Sequence, residues 1–460
     1  MKLSNLKIKP VPIAPALKNL LGPSFIILGL GLGSGEVILW PYLSSNYGLG
    51  IIWGAVLGIT FQYFINMEIS RYSLINGESI FVGFVRKFKA LPYWFLFSTF
   101  LPWIWPGIIA SSATVLAHVF DLDFKLVAVL MLILIGLILS LGPILYKTVE
   151  TFQKVVIGIG VPSIFLLSIF LAGRADFTAL GQGIFGIGSN YYLLPIGIPI
   201  ASFLAALAYS GAGGNLNLAQ SFYIKEKGYG MGKYAGKISS LITGKTEDIN
   251  LTGATFEIND ENVSAINLWW KRINIEHFLV FWLTGLVTIL LLSLLAYSTV
   301  FGNPGNIAGI SFVINEAKQI SLLTFPFIGT FFLLLVSLML FATQMTVLDA
   351  TSRIITENVL LIKNSVKSKV NYWYYAILWI QIIAGICVML FGISEPLKLL
   401  VISAVLNAFA MFVHTGLTLW VNKTLLHKLL QPSRARTITI ILAFLFYGGF
   451  SVYTLFVYLK

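Results

Sequence analysis

Hydrophobic stretches separated by short polar connections run along almost the whole chain. Eleven of them come close to the length of about 20 apolar residues that a helix needs to cross a membrane. The one long polar connection is segment 223–276, which carries charges of both signs. The pattern therefore predicts eleven spans, at 20–45, 50–73, 92–120, 126–146, 155–172, 194–222, 277–300, 322–348, 372–392, 396–421 and 438–459.

The first hydrophobic segment contains an alternating run of glycines. Gly29, Gly31, Gly33 and Gly35 occupy every second position, and the run ends at Glu36. Glycine at this density weakens a helix, and a carboxylate at bilayer depth is costly enough to indicate a function. The run predicts a first span that is broken near its middle. Close packing against a neighbouring helix is the alternative, because glycines four residues apart permit it.

A second glycine cluster lies in the sixth segment, where Gly211-Ala212-Gly213-Gly214-Asn215 interrupts the apolar run. Two broken spans at corresponding positions are typical of a transporter's binding site. Because five spans are an odd number, a second set of five must enter the membrane from the opposite side. We therefore predict an all-α membrane protein with one transmembrane domain, residues 1–460, containing inverted repeats at 20–172 and 194–421 and an extra helix at 438–459.

Positive charge is distributed unevenly between the two sides of this topology. The chain has 30 Lys and Arg residues against 18 Asp and Glu residues, a net charge of +12. With a cytoplasmic N-terminus, all the basic residues fall in cytoplasmic segments except Lys125, Arg174, Lys318, Lys398 and Lys460. The distribution favours a multi-pass protein of the cell membrane with its N-terminus in the cytoplasm. The charge indicates contact with anionic lipids and no nucleic-acid partner, since no basic soluble domain is expected.

The composition excludes a soluble protein. Hydrophobic residues make up 57% of the chain and charged residues 10%, too few to cover a folded domain with polar surface. The single cysteine, Cys387, excludes an intrachain disulfide and a cysteine-based metal site. The spans carry neither convergent catalytic pairs nor a repeated pore motif. We therefore expect neither an enzyme nor a channel, and no cofactor.

Four segments resemble a known family. They are Gly22-Pro23-Ser24-Phe25, the broken first span, the segment through Gln62-Tyr63, and the broken sixth span ending Leu218-Ala219-Gln220-Ser221. In these segments the chain is similar to the Nramp metal transporters, which have the LeuT-type fold. The resemblance covers most of the chain. It implies two inverted five-helix repeats whose first helices are broken, followed by an eleventh helix.

The chain departs from that family at the residues that bind metal. The family's first-span motif Asp-Pro-Gly-Asn corresponds to Gly33-Ser34-Gly35-Glu36, and its sixth-span motif Met-Pro-His corresponds to Gly213-Gly214-Asn215. The family's other functional positions, a glutamine and two acidic residues, fall near Ala404, Ser112 and Val115. We therefore expect this chain to share the fold of the family but not its metal site. The glycines should also enlarge the central cavity.

Polar groups near the two breaks are the candidate substrate-binding residues. Unwound carbonyls favour a cation or an ammonium group, and half-helix N-termini favour a carboxylate. We therefore expect a proton- or cation-coupled carrier of a small organic solute. A proton-coupled carrier of a divalent metal (manganese, iron or magnesium) is the alternative, and metal ligands are not assigned. The candidates are Gly33, Ser34, Gly35, Glu36, Ser210, Gly211, Gly213, Gly214, Asn215 and Asn217.

Glu36 is also the candidate coupling residue, because a carboxylate inside a span can take up and release a proton. The alternative is a structural carboxylate that accepts hydrogen bonds from the amides freed by the break. Asn215 and Asn217 either line the site or cap the second half of the sixth span.

Other polar residues are interpreted as structural. Glu68 and Arg71 are expected to form a pair or a gate, and Asp349 and Arg353 a pair on a helix surface. His414 is expected to make an ordinary polar contact. Segment 223–276 is expected to be a cytoplasmic loop that binds anionic headgroups. Tryptophans near span ends are expected to anchor the chain at the membrane interface, namely Trp94, Trp103, Trp105 and Trp373.

Overall fold

The described part of the chain is almost entirely helical. The computed structural model describes residues 3–20, 22–141, 145–236, 238, 251–307, 309–363, 370–392 and 395–459. Two short strands, β1 (Lys7–Ile8) and β2 (Ala254–Thr255), pair in parallel. The helices are α1 (Pro23–Gly31), α2 (Trp40–Tyr47), α3 (Trp53–Asn76), α4 (Ile80–Lys87), α5 (Leu91–Trp103), α6 (Gly107–Phe120), α7 (Phe124–Leu141), α8 (Leu145–Leu171), α9 (Arg174–Ile184), α10 (Ile200–Ala208), α11 (Gln220–Lys227), α12 (Asp260–His277), α13 (Thr284–Val300), α14 (Ser311–Leu323), α15 (Pro326–Lys363), α16 (Val370–Phe391), α17 (Pro396–Leu425) and α18 (Arg434–Leu459).

Ten helical stretches within the described ranges are long and apolar enough to cross a membrane. They match ten of the eleven predicted spans, so the chain is an integral multi-pass membrane protein. The eleventh is the sixth predicted span. It is split into α10 and α11, and each half is too short to cross alone. The prediction of an all-α membrane protein is confirmed.

The first span, α10, α15 and α17 form the centre of the bundle. α15 packs against α1, α5 and α6, and α17 packs against α10 and α18. The most apolar stretch of the first span is fully buried, whereas only 28% of the corresponding stretch of α8 is buried. Outer helices instead expose apolar side chains such as Leu130, Leu166 and Ile383. An apolar exterior around a buried polar interior is the arrangement that lipid requires.

Two regions are more structured than the hydropathy pattern indicates. The third span is interrupted between Trp103 and Gly107, where Pro106 lacks the amide that would continue the helix. Segment 223–276 contains the end of α11, strand β2 and most of α12, which continues without a gap into the seventh span. Residues 239–250 of that segment lie outside the described residues.

The N-terminal segment, residues 3–20, lies across one end of the bundle, which we call the N-terminal face. Trp269 of α12 donates a hydrogen bond to the carbonyl of Pro12 at 2.7 Å, and Arg272 donates to the carbonyl of Ala14 at 2.6 Å. The amide of Lys9 donates to the carbonyl of Thr255 at 2.8 Å, beside the β1–β2 pair. The segment is therefore fixed to the elements that follow the sixth span.

Candidate functional site

The interruption of the first span is a change in helical winding. α1 ends at Gly31, a turn follows at Leu32 and Gly33, and Ser34–Leu39 form a π-helical segment that leads into α2. Gly33 keeps right-handed backbone angles, with φ −91° and ψ −60°. The predicted break lies where the glycine run indicates, but the chain there is still wound as a helix.

The interruption of the sixth span is a true opening of the backbone. α10 ends at Ala208, and the next regular element is a 3-10 turn that begins at Gly214 and leads into α11. Gly213 has φ 74° and ψ 144°, and Gly214 has φ 53°. L-residues with side chains rarely adopt such angles, so the backbone here requires glycine.

The two interruptions touch each other through glycine. A Cβ added at Gly31 would lie 2.8 Å from the backbone of Gly211, and one added at Gly35 would lie 1.7 Å from the carbonyl oxygen of Tyr209. Both interpretations of the glycine run therefore hold, because the residues that flank the first interruption also allow close contact with the sixth span.

The glycines at the family's metal-binding positions do not leave open space. A Cβ at Gly33 would lie 2.4 Å from the hydroxyl of Thr343, and one at Gly213 would lie 2.4 Å from the ring of Tyr209. A Cβ at Gly214 would lie 1.8 Å from Oδ1 of Asn407. The expectation of an enlarged cavity at these positions is wrong, because larger neighbouring side chains occupy the volume.

Buried polar side chains surround Gly214, and we call them the amide ring: Tyr209, Asn215, Asn217, Asn407 and His414. Asn215 donates from Nδ2 to the hydroxyls of Ser98 at 2.8 Å and Thr99 at 2.9 Å, both on α5. Asn217 Nδ2 lies 3.4 Å from the carbonyl oxygen of Gly214, and His414 Nε2 lies 2.9 Å from the same oxygen. The ring thus connects the sixth span to α5 and α17.

Tyr209 ties the ring to α17. Its hydroxyl accepts a hydrogen bond from Asn407 Nδ2 at 3.0 Å and lies 2.7 Å from the hydroxyl of Ser403. The ring of Trp103 stacks on Tyr209 with 5.7 Å between ring centroids. The half-buried ring of Trp103 therefore contacts the amide ring at the third-span interruption, and its role as an interface anchor stays a prediction.

Several acceptors of the amide ring have no hydrogen-bond partner within the described residues. They are Oδ1 of Asn215, Asn217 and Asn407 and Nδ1 of His414, all of them buried. An unpaired buried polar group costs about 1–3 kcal/mol. Such groups are expected where a ligand or water supplies the missing donors. The arrangement can accept several hydrogen bonds or coordinate a cation through amide oxygens.

Glu36 lies on the π-helical segment and is fully buried. Neither carboxylate oxygen has a hydrogen-bond partner in the described part of the chain. Oε1 lies 3.4 Å from the point that a Cβ on Gly285 would occupy, next to the side chains of Leu28 and Ile59. The carboxylate therefore faces α13 among apolar neighbours. The contacts that define the amide ring instead come from α5 and α17.

The remaining candidates help to hold the first and sixth spans together. Ser210 accepts a hydrogen bond from Trp40 Nε1 at 2.9 Å and donates to the carbonyl of Ala206 at 2.9 Å, so its hydroxyl hydrogen is already used. Ser34 is buried on the π-helical segment. Gly211 packs against Gly31, as described above.

Gln62 of α3 stabilises the open backbone of the sixth span. Its Nε2 donates to the carbonyl of Ala208 at 3.0 Å, and its Oε1 accepts from the amide of Gly213 at 3.1 Å. These are backbone groups that the end of α10 leaves without helical partners. In the sequence, Gln62 is an amide within an apolar segment. It contributes to the family resemblance, but the sequence alone assigns it no role.

Charged networks close the N-terminal face. The predicted pair of Arg71 and Glu68 is confirmed at 2.7 Å, and Asn422 of α17 also donates to Glu68 at 3.1 Å. Arg353 and Asp349 pair at 2.8 Å. The expected pair on the helix surface is confirmed; both side chains are buried inside the bundle, and Arg353 also pairs with Glu226 of α11. Buried pairs of this kind depend on keeping both partners.

Comparison with known proteins identifies the fold. No family model matches the chain, and no curated protein sequence does. A variant of the Eremococcus coleocola manganese transporter matches with TM-score 0.69 and 12% identity, over 98% of this chain and 89% of that one. The same transporter in complex with an aromatic bis-isothiourea substituted compound gives TM-score 0.68 and 12% identity over 99% and 90%.

A second transporter, MhsT in complex with L-phenylalanine, matches with TM-score 0.52 and 14% identity, over 97% of this chain and 99% of that one. At these identities the similarity establishes the fold. The chain therefore has an Nramp-like, LeuT-type transporter fold, as the resemblance of its motifs implies.

Proposed function

We propose that this protein is a secondary-active carrier that works by alternating access and binds a small organic solute at the amide ring. The observation that carries the proposal is the set of unpartnered buried acceptors around Gly214, at the opening of the sixth span. Discontinuous helices at the centre of such folds are where substrates bind. We further propose that the N-terminus is cytoplasmic and that the protein lies in the cell membrane, from the distribution of basic residues.

The donor and acceptor pattern supports a solute that donates hydrogen bonds. Three amide oxygens and one imidazole nitrogen have no hydrogen-bond donor among the described residues, and an ammonium or amide group would satisfy several of them at once. The amide ring contains no carboxylate. A solute whose own carboxylate is held elsewhere, or a neutral polar solute, suits this arrangement better than a strongly hydrated ion does.

A divalent metal is the second candidate, favoured by the fold shared with a manganese transporter. Manganese and magnesium are usually held by carboxylates together with carbonyl oxygens and waters. The one carboxylate at the first-span interruption is Glu36, which faces α13. A metal at the amide ring would therefore depend on neutral oxygen ligands and retained water.

Glu36 is the proposed coupling residue. Its carboxylate is buried without a partner in the described residues, which is expected for a group that exchanges a proton or a cation during the transport cycle. The alternative is a structural carboxylate that accepts hydrogen bonds from freed amides, and the described residues contain no such hydrogen bond to Glu36.

Calorimetry on the purified protein in lipid nanodiscs tests the proposal. L-phenylalanine, other amino acids, oxo acids, manganese and magnesium are each titrated into wild type, Asn407→Ala and Glu36→Gln. We expect an organic solute to bind and Asn407→Ala to weaken it about tenfold or more, as losing a buried hydrogen bond does. Asn358→Ala is the matched control, because Asn358 is a buried amide of α15 outside the amide ring.

Manganese binding that Glu36→Gln abolishes, with no organic solute bound, would contradict the organic-solute proposal and support the second candidate. Flux of the bound solute into liposomes then tests coupling. A flux whose proton dependence is the same in Glu36→Gln as in wild type would exclude Glu36 as the coupling residue.

A further inference from the structure

A buried cluster on the N-terminal face joins the start of the first span to the seventh. Ser24 of α1 lies between two titratable side chains of α12: its hydroxyl is 2.5 Å from Oε2 of Glu276 and 2.7 Å from Nδ1 of His277. Glu276 is 2% exposed and His277 is fully buried. Oε1 of Glu276 and Nε2 of His277 have no hydrogen-bond partner within the described residues. At each end of the cluster, one polar atom therefore lacks a hydrogen-bond partner among the described residues.

The carboxylate of Glu276 also holds the first turn of α1. The Ser24 hydroxyl donates to this carboxyl from the first turn of α1, and the carboxyl lies near the backbone amide of Gly22, the residue before α1. A negative charge at a helix N-terminus is favourable, because the first amides of the helix carry partial positive charge. The charge of Glu276 thus contributes to docking the inner half of the first span.

We propose that Ser24, Glu276 and His277 form a proton-binding site that holds α1 in place when empty and releases it when occupied. With Glu276 ionised, Nδ1–H of His277 donates to the Ser24 oxygen and the Ser24 hydroxyl donates to the carboxylate, because a carboxylate only accepts. A proton added at Nε2 of His277 moves the Nδ1 proton to Ser24 and the Ser24 proton to Glu276. The result is a neutral imidazole with its proton on Nε2 and a neutral carboxyl.

Occupation of the site removes the negative charge that α1 needs. The hydrogen bonds then run in the opposite direction, from Glu276 to Ser24 and from Ser24 to His277. Glu276 is neutral and no longer places a negative charge at the start of α1. The ring of His277 is stacked between Tyr63 and Phe281 at 5.6 Å and 4.7 Å, so the imidazole cannot turn away without disturbing both.

Other charged and titratable groups face this site from neighbouring helices. Lys154 and Lys227 lie near Glu276 and are themselves paired with Glu150 at 2.6 Å and 2.8 Å. The phenols of Tyr146 and Tyr229 also face Glu276. Burial disfavours the ionised carboxylate, whereas the two lysines favour it. This inference deepens the proposed proton coupling and adds a site distinct from Glu36.

Hydrogen–deuterium exchange of α1 in nanodiscs tests the release step. We expect Glu276→Gln to lower the protection factors of the α1 amides about tenfold at about pH 8, and to remove the difference in protection factor between about pH 5 and pH 8, because a charge-assisted hydrogen bond is lost. Glu276→Asp, which keeps the charge, should retain the pH difference. Glu357→Gln is the matched control: Glu357 is a buried carboxylate that accepts from Ser79, and both lie outside α1.

Infrared difference spectra between the same two pH values detect the proton directly. A protonated-carboxyl band should disappear in Glu276→Gln and persist in Glu357→Gln. An unchanged band in Glu276→Gln, or α1 protection factors that still differ between the two pH values in that variant, would overturn the proposal. These readouts need no substrate. A protein that shows them but moves no solute would refute the proposed transport function and leave the proton site standing.

Discussion

The first and sixth spans are both interrupted in glycine-rich sequence, yet their backbones differ. Through the first interruption the chain stays right-handed, with Gly33 at φ −91°, and continues as a π-helical segment. Through the sixth, Gly213 and Gly214 take φ of 74° and 53° and the helix opens. The comparison separates two uses of glycine: lack of a side chain for close contact in the first span, and access to left-handed backbone in the sixth.

The largest expected effect comes from the contact between the two spans. Gly35→Ala places a Cβ 1.7 Å from the Tyr209 carbonyl, and backbone cannot yield as a flexible side chain can. We expect a loss of about 3 kcal/mol in the free energy of unfolding, measured by chemical denaturation in micelles. The control is Gly158→Ala in α8, where the added Cβ meets no atom within 4 Å and should be neutral or stabilising. Equal unfolding free energies for both variants would contradict the close contact.

The next effect separates backbone strain from side-chain overlap in the sixth span. Gly214→Ala has both, because its φ is positive and its Cβ would lie 1.8 Å from Asn407 Oδ1. We expect about 2–3 kcal/mol of destabilisation, of which the left-handed backbone accounts for about 1–2 kcal/mol. Adding Asn407→Ala should recover only the overlap. Full recovery in the double variant would show that the positive φ costs nothing there.

Much of the fold could be predicted because hydropathy and helix length are local properties. The spans, the placement of basic residues in alternate connections and the two glycine-rich interruptions can each be predicted from short stretches of sequence. The form of the interruptions was not, since π-winding and an open backbone both tolerate glycine. The two interruptions differ in the groups that pack against their glycines. The carbonyl of Tyr209 lies against Gly35 in the first span, and the side chain of Asn407 lies against Gly214 in the sixth.

The candidate site was predicted in part for the same reason. Asn215 and Asn217 lie at the sixth interruption, as expected. The partners of the amide ring on α5 and α17 are distant in sequence: Ser98 is 117 residues from Asn215, and Asn407 is 198 residues from Tyr209. Spacing along one helix cannot reveal such pairs. The available signal was the presence of amides and a tyrosine within apolar spans, where unpaired polar groups are costly.

A third prediction compares how the freed backbone groups of each span are satisfied. Gln62 bonds both the Ala208 carbonyl and the Gly213 amide in the sixth span, whereas Thr343 donates to the Gly29 carbonyl in the first at 2.8 Å. Gln62→Leu should therefore cost about 1–3 kcal/mol and Thr343→Val about 1 kcal/mol or less, both measured as unfolding free energies. A larger loss of unfolding free energy for Thr343→Val than for Gln62→Leu would mean that the first span depends more on its side-chain hydrogen bond than the sixth does.

The smallest expected loss of stability is for substitution of Glu36. The measurement distinguishes a functional carboxylate from a structural one. The oxygens of Glu36 have no partner in the described residues, and its neighbours are apolar, so removing the charge breaks no observed hydrogen bond. Glu36→Gln should leave the unfolding free energy equal to or higher than that of wild type, because an unpartnered buried carboxylate is unfavourable. Asn215→Ala, which loses bonds to Ser98 and Thr99, should cost about 1 kcal/mol or more. A marked loss of stability in Glu36→Gln would mean that the carboxylate holds the π-helical segment together. The first-span interruption would then be maintained by its acidic residue, and the sixth by its amides.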